Sequence, residues 1–577
     1  MTLSSHIDSD ELEGKILEAE SPANKLVNKY ISAKKQFHNK RAEEKPASKI
    51  VSKFRGIAEK YRIQEDGMEP RQVYEILHDE LTLDGTTTLN LASFVNTHVE
   101  KEAEQLIIEN LTKNLADNDE YPILLEMQQR CISILGNMWN APVNLENGAL
   151  GTACTGSSEA IMLGGLAMKK NWQAKRKAAG KDYHHPNILM ASCCQVALEK
   201  FARYFDVEER IIPVSNTDFL LDYELVRRNL DENTIGVFVI LGSTYTGGFE
   251  SVEKVNDILQ EYEDETGHFI PIHVDAASAG FLASFVYPDL VWDFRIPRVV
   301  SINTSGHKFG LATAGLGWVV FRSKDWLPEE LKFQLQYLGG LEESFTINFS
   351  RPGYQVIHQY FNFLHLGRKG YYEIFDNCLT NARILSRFLE ETGIFVCVSN
   401  LHLPKGHTAR GAPQEAPSPV SHHAYLSDHN YYNPALPVVS FQLSKEFTDA
   451  YPEIPQSLVS SLLRNRKWIV PNYGLPKTSK QDENENNEIL RIVTKYNLTS
   501  QLLDKLMHDI VEVMEVLMKS VALVRKNVEK LKAGSKELDN DMLYNMLLSI
   551  ANDGNEKLIK LKNTPPESKH NSFRGPC

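Results

Sequence analysis

The chain has 577 residues, too many for one compact core, with 42% hydrophobic and 24% charged residues and a formal net charge of −13. That acidic balance disfavours nucleic acid and anionic membrane as partners, and no run of about 18 apolar residues marks a membrane span. The seven cysteines (Cys131, Cys154, Cys193, Cys194, Cys378, Cys397 and Cys577) include no CxxC spacing, which argues against a disulfide framework or a zinc site and for a reducing, cytoplasmic setting.

Residues 1–75 are polar and Lys/Glu-rich and read as an N-terminal arm, partly helical or without fixed structure. Across 76–378, β-rich runs (187–194, 235–241, 269–275, 298–303 and 315–321) alternate with amphipathic stretches. Strands separated by helical patterns predict an α/β domain with a mainly parallel sheet. Residues 379–533 read as a smaller α+β domain with strands near 438–443 and 489–494, a polar loop over 404–433 and a low-complexity loop over 477–487. Apolar residues at Leu502, Leu503, Leu506, Ile510, Val513, Met514 and Leu517 predict a helix, and 534–577 read as a tail.

Three segments carry chemistry. In Asn303-Thr304-Ser305-Gly306-His307-Lys308, a lysine follows a strand end among small residues and can approach a ligand without obstruction. A Schiff-base lysine needs such a fixed position; taken alone, a lysine of this kind is more often a surface residue. In His273-Val274-Asp275-Ala276-Ala277, the aspartate closes an apolar run, at the sheet edge where open α/β folds bind ligands. A carboxylate there can keep a pyridine nitrogen protonated; the plain alternative is a helix N-cap. In Gly151-Thr152-Ala153-Cys154-Thr155-Gly156-Ser157-Ser158-Glu159-Ala160, a Gly/Thr/Ser run opens into a helical stretch over 160–170, a phosphate site or a simple Ser-capped helix.

With Asn348-Phe349-Ser350-Arg351-Pro352, these motifs stand in the order found in group II, fold-type-I, PLP-dependent decarboxylases. Over roughly residues 80–500 the chain resembles, within that group, the glutamate decarboxylases of fungal type. The resemblance implies an aspartate-aminotransferase-like large domain, pyridoxal 5'-phosphate as cofactor, no metal, L-glutamate as substrate, 4-aminobutanoate as product and a homodimer or larger homo-oligomer with shared sites. It implies Lys308 as the Schiff-base lysine and Asp275 as partner of the ring nitrogen. Ser157, Ser158, Ser305 and His307 would meet the phosphate, with Ser350 reaching the site of a second subunit. Thr244 would lie beside the cofactor and Ala277 under one ring face. Gln195 would stack on the ring where most of the group have histidine; this glutamine marks the bacterial, plant and fungal glutamate enzymes.

For the substrate, the resemblance implies Ser93 and the Phe94 N–H at the side-chain carboxylate, with Asn114 and Asp117 completing that pocket across the subunit interface. Arg491 would fork onto the α-carboxylate. Tyr337, between glycine-rich neighbours, is a candidate proton donor to Cα on a flap, with His307 and Lys308 as competitors. Residues 514–532 hold Lys519, Arg525, Lys526, Lys530 and Lys532 among apolar positions, as calmodulin-binding helices do. A helix packed on the small domain is the preferred reading there. Two rivals stand beside this assignment: a decarboxylase of another amino acid, opposed by Gln195 and the Ser93/Asn114/Asp117 set, and a catalytically silent PLP-binding scaffold, opposed by intact Lys308, Asp275, Ser157 and Ser158.

Overall fold

The computed structural model describes residues 61–531 apart from residue 64 and the segments 143–147, 336–341, 409–425 and 479–487, together with residues 29, 32 and 547. Most of the expected arm, the flap with Tyr337, most of the 404–433 and 477–487 loops and all of the tail except residue 547 lie outside the described residues. The chain divides into two compact units, Met1–Asp84 and Gly85–Cys577. In the first, helix α1 (Pro70–Leu81) starts on a proline, whose missing N–H is harmless in a first turn.

The second unit opens with α2 (Lys101–Glu109) and α3 (Pro122–Met138). Then come β1 (Leu150–Cys154), α4 (Ser157–Ala178), β2 (Asn187–Ala191), α5 (Val196–Tyr204), β3 (Glu208–Ile212) and α6 (Tyr223–Val226). They are followed by β4 (Thr234–Ile240), α7 (Val252–Thr266), β5 (Ile272–Asp275), α8 (Gly280–Val286), β6 (Val299–Thr304) and β7 (Gly317–Phe321). These strands form one sheet in the order β1-β7-β6-β5-β4-β2-β3. Neighbours from β6 to β3 pair in parallel, whereas β7 runs antiparallel to both β6 and β1. Every residue of β2, β4, β5 and β6 is buried, as in a sheet covered on both faces, so these strands read as nearly continuous apolar runs.

Two strands of this sheet escaped the sequence reading. Residues Leu150–Cys154, which include the start of the Gly/Thr/Ser run 151–160, pair residue by residue with β7, from Leu150↔Phe321 to Cys154↔Gly317. Gly151 and Ala153 have weak strand preference, so this pairing, made far along the chain, decides their conformation. The edge strand β3 carries Glu208, Glu209 and Arg210, charges that protect an edge and mask its pattern.

The chain continues through a short hairpin, β8 (Phe333–Leu335) and β9 (Glu342–Ser344), into the helical run α9 (Tyr354–Glu391). That run is interrupted at Gly367, whose φ of 55° suits a residue without Cβ. Then follow β10 (Phe395–Cys397), β11 (Val438–Leu443), α10 (Lys445–Ala450), α11 (Gln456–Asn465), β12 (Asn472–Gly474), β13 (Glu488–Val493) and α12 (Ser500–Leu531). The second sheet is antiparallel throughout, in the order β10-β11-β13-β12. The two cores meet along α9: Tyr371, Phe375 and Leu379 lie in the first, Ala382, Leu385 and Leu389 in the second. The expected boundary at 378/379 therefore falls inside a helix. Leu503, Leu506, Ile510, Val513, Met514 and Leu517 of α12 are buried in the second core, so this apolar face is covered by the fold. No helix among the described residues is long and apolar enough to cross a membrane.

Candidate active site

A cavity of about 220 Å³ lies where β2, β4, β5 and β6 end and α4 begins. The parallel strands bring their carboxyl ends to one edge, and segments distant in sequence converge there. From beyond β6 come Ser305, His307 and Lys308; from β5 and the turn after it, Asp275, Ala277 and Ser278. Thr244 follows β4, Gln195 follows β2, and Ser157 and Ser158 open α4.

Lys308 is 5% exposed, and its Nζ donates to Ser278 Oγ at 3.1 Å. Its turn is tight: Ser305 N–H donates to Ala277 O at 3.0 Å, and Lys308 N–H to Ser305 O at 3.2 Å. A Cβ on Gly306 would stand 2.7 Å from Gln359 Oε1, and one on Gly310 2.5 Å from Gly306 O. The glycines in this motif thus answer to close packing.

Asp275 is buried, and its Oδ1 accepts from Ala277 N–H at 3.1 Å and Asn303 Nδ2 at 3.0 Å. The first contact is an Asx turn rather than the helix N-cap weighed as its alternative. Both bonds fall on Oδ1, which leaves Oδ2 for a ligand.

At the start of α4, Ser157 is the first helical residue and makes no cap bond; its Oγ lies 2.7 Å from Ser305 Oγ. The Ser-capped alternative therefore does not describe this turn, and the first-turn N–H groups stay available to an anion. His307 packs beside it. Burial, and next the neighbouring Lys308, push its pKa down to about 4. Its Nδ1 accepts from Leu316 N–H at 3.2 Å, which puts the single ring proton on Nε2. A Cβ on Gly317 would fall 2.3 Å from the Gly156 carbonyl carbon and 2.7 Å from Ser157 N, so β7 approaches this helix start as closely as glycine permits.

Gln195 caps α5, its Oε1 accepting from Ala197 N–H at 2.6 Å, and also lines the cavity. Thr244 lines the cavity while its carbonyl accepts from Arg491 Nη1 at 2.7 Å. Arg491 Nη2 bonds Ala92 O, and its Nε is buried with no partner among the described residues. The Phe94 ring is 5.5 Å from Lys308 Nζ and 5.0 Å from the Arg491 guanidinium carbon, and it bridges the two cations. Ser93, beside it, accepts from Val95 N–H at 3.1 Å.

Three other expected residues lie together elsewhere. Asn114 Nδ2 donates to Ser350 Oγ at 3.3 Å, and Asp117 N–H bonds Asn114 O at 3.1 Å. None of the three lines this cavity, and neither do Ser93, Phe94 and Arg491. Tyr337 lies outside the described residues. The sequence reading missed Ser278, Cys193 and Asn303. For Asn303 the usable signal was polarity inside an apolar strand, since a polar residue at a buried strand position has a partner that keeps it there; Ser278 and Cys193 stand in turns, where no such pattern marks them.

Residues 69–405 match the pyridoxal-dependent decarboxylase conserved domain. The chain is 47% identical over 543 residues to glutamate decarboxylase of Saccharomyces cerevisiae, covering 90% of this chain and 91% of the relative. It is 43% identical to glutamate decarboxylase 2 of Arabidopsis thaliana, covering 79% of this chain and 84% of that one. A solved glutamate decarboxylase of Lactobacillus brevis superposes with a TM-score of 0.69 at 34% identity, covering 80% of this chain and 97% of the other. With half of its length in that conserved domain and near-complete alignment to such relatives, the chain belongs to the pyridoxal-dependent decarboxylases and, within them, to the glutamate decarboxylases.

Proposed function

We propose that the chain releases the α-carboxyl group of L-glutamate as carbon dioxide and leaves 4-aminobutanoate, with pyridoxal 5'-phosphate as cofactor. One observation carries this reading: a buried lysine, a buried aspartate and the open start of α4 share one cavity. These residues fit the group. Lys308 would hold its aldehyde carbon, Asp275 its ring nitrogen, Ser157, Ser158, Ser305 and His307 its phosphate, and Gln195 and Ala277 its ring faces, with Thr244 alongside. When bound, the cofactor supplies a protonated ring that draws off the electron pair of the breaking Cα–carboxylate bond.

The protein's own residues supply position and charge. Two N–H donors hold Asp275 Oδ1, and its Oδ2 would meet the ring nitrogen. His307, neutral, offers Nε2–H without adding a cation. The partnerless Nε of Arg491 suits the substrate's α-carboxylate, and Ser93 with the Phe94 N–H suits its side-chain carboxylate. Anchoring both ends sets the torsion of the bond to be broken. Tyr337 is the candidate donor of the proton to Cα, with His307 and Lys308 as competitors.

Asn114, Asp117 and Ser350, which lie close together, would serve the cavity of a second copy in a homodimer or larger homo-oligomer. The six cysteines among the described residues are buried thiols, which suits a cytoplasmic enzyme.

The test is carbon dioxide release from carboxyl-labelled L-glutamate, beside aspartate and aromatic amino acids, in wild type and Lys308→Ala. Release from glutamate alone, lost in the variant, supports the proposal. Release from another amino acid overturns the substrate, and no release with cofactor bound supports a silent scaffold.

A further inference from the structure

The cross-strand register of β5 and β6 sets His273 opposite Ser301 and Asp275 opposite Asn303. Strand period two turns all four side chains to one face, where each reaches the next. Ser301 Oγ lies 2.7 Å from His273 Nδ1, His273 Nε2 lies 2.7 Å from Asn303 Oδ1, and Asn303 Nδ2 lies 3.0 Å from Asp275 Oδ1. His273, Ser301 and Asn303 are wholly buried.

The chemistry allows one direction. A carboxylate only accepts, so the Asn303 amide must present Nδ2 to Asp275 and its oxygen to His273. An amide oxygen also only accepts, so His273 Nε2 carries a proton. Burial pushes the pKa of His273 down to about 4, so the ring holds a single proton and Nδ1 accepts from the Ser301 hydroxyl.

We propose that Ser301, His273 and Asn303 form a one-way line of hydrogen-bond donors ending on Asp275 Oδ1, which makes them positioning residues that fix this carboxylate with its Oδ2 aimed at the ring nitrogen of the cofactor. Bonds aligned in one direction polarise each other and strengthen the hold on the last acceptor, so the carboxylate keeps the orientation that pairs it with the protonated ring. Helix α4 accommodates the line: a Cβ on Gly164 would stand 2.4 Å from His273 Nδ1 and 3.2 Å from Ser301 Oγ. The inference rests on the reading of Asp275 as partner of the ring nitrogen.

The test loads the enzyme with pyridoxal phosphate labelled with nitrogen-15 in the ring and reads that nucleus by NMR, together with the cofactor dissociation constant of the reconstituted apoenzyme. Asn303→Leu should move the resonance toward neutral pyridine and weaken cofactor binding about tenfold, the scale of one charge-assisted bond. Ser301→Ala should shift it the same way by less. Asn303→Ala, which cannot clash, replaces Asn303→Leu if the latter does not fold. Wild-type resonance and affinity in a loaded Asn303 variant overturn the donor line. Asp275→Asn separates the two ideas: if its ring nitrogen stays protonated, the assignment of Asp275 itself fails; if it loses the proton while the Asn303 variants keep theirs, only the line fails.

Discussion

The Glu159 carboxylate holds the backbone of Asn348: Oε1 accepts from Asn348 N–H at 2.9 Å and from Ile347 N–H at 3.0 Å. Its Oε2 accepts from Thr155 N–H at 2.8 Å and from the Thr155 hydroxyl at 3.0 Å. A bare carboxylate beside an anion site would repel the anion. Here four donors occupy it, and it fastens the start of α4 to the segment that carries Ser350. Glu159→Ala should leave buried donors unpaired and cost about 2–5 kcal/mol. Calorimetry and cofactor titration check it; an unchanged Tm with full cofactor affinity would show the clamp to be dispensable.

Gly317→Ala should damage the anion cradle, because the added methyl meets Gly156 and Ser157 backbone, which cannot give way without moving the helix start. Cofactor affinity should fall about tenfold or more, and Tm with it. Gly156→Ala is the control, since its Cβ finds its nearest neighbour, His307 Cε1, at an ordinary 3.6 Å. Equal effects from the two would refute the steric argument.

Arg491→Lys keeps the charge but loses the fork that reaches both Thr244 O and Ala92 O. We expect about 2–4 kcal/mol of destabilisation and a KM for glutamate raised about tenfold or more. Denaturation and steady-state kinetics separate these effects. Lost stability with an unchanged KM would make Arg491 purely structural.

Glu250 is wholly buried: its Oε2 accepts from Ile240 N–H at 2.7 Å, and the Cys193 thiol reaches Oε1 at 3.6 Å. Burial pushes its pKa from 4.5 up to about 8. The folded value exceeds the unfolded one, so this group's contribution to stability is full below the unfolded value and is lost as pH rises through about 8. Between them the loss runs at up to about 1.4 kcal/mol per pH unit. Glu250→Gln retains an acceptor for Ile240 and removes this slope. Denaturation midpoints of the two proteins should diverge across that window; parallel profiles would show that Glu250 is ionised when folded.

Much of the site was legible because its chemistry sits at strand ends. Buried parallel strands announce themselves as apolar runs, and Asp275, Lys308 and Ser157 follow such runs or open a helix. The 438–443 strand was legible for the same reason. Where the local pattern was weak, as in β1 and β3, it failed.

The sequence by itself determined which residue types could do this chemistry and that α/β order would deliver them to one sheet edge, since hydrophobic periodicity and turn residues act over a few positions. Tertiary structure alone decided which side chains meet. Ser278 faces Lys308 because β5 and β6 are adjacent. His273 meets Ser301 and Asn303 because the register sets them opposite each other. Arg491 reaches Thr244 and Ala92 from another sheet, and Asn114 settles beside Ser350 away from the cavity that the same motifs build. These contacts join residues that no short-range preference links, so they follow from strand pairing and core packing, which act across the whole fold.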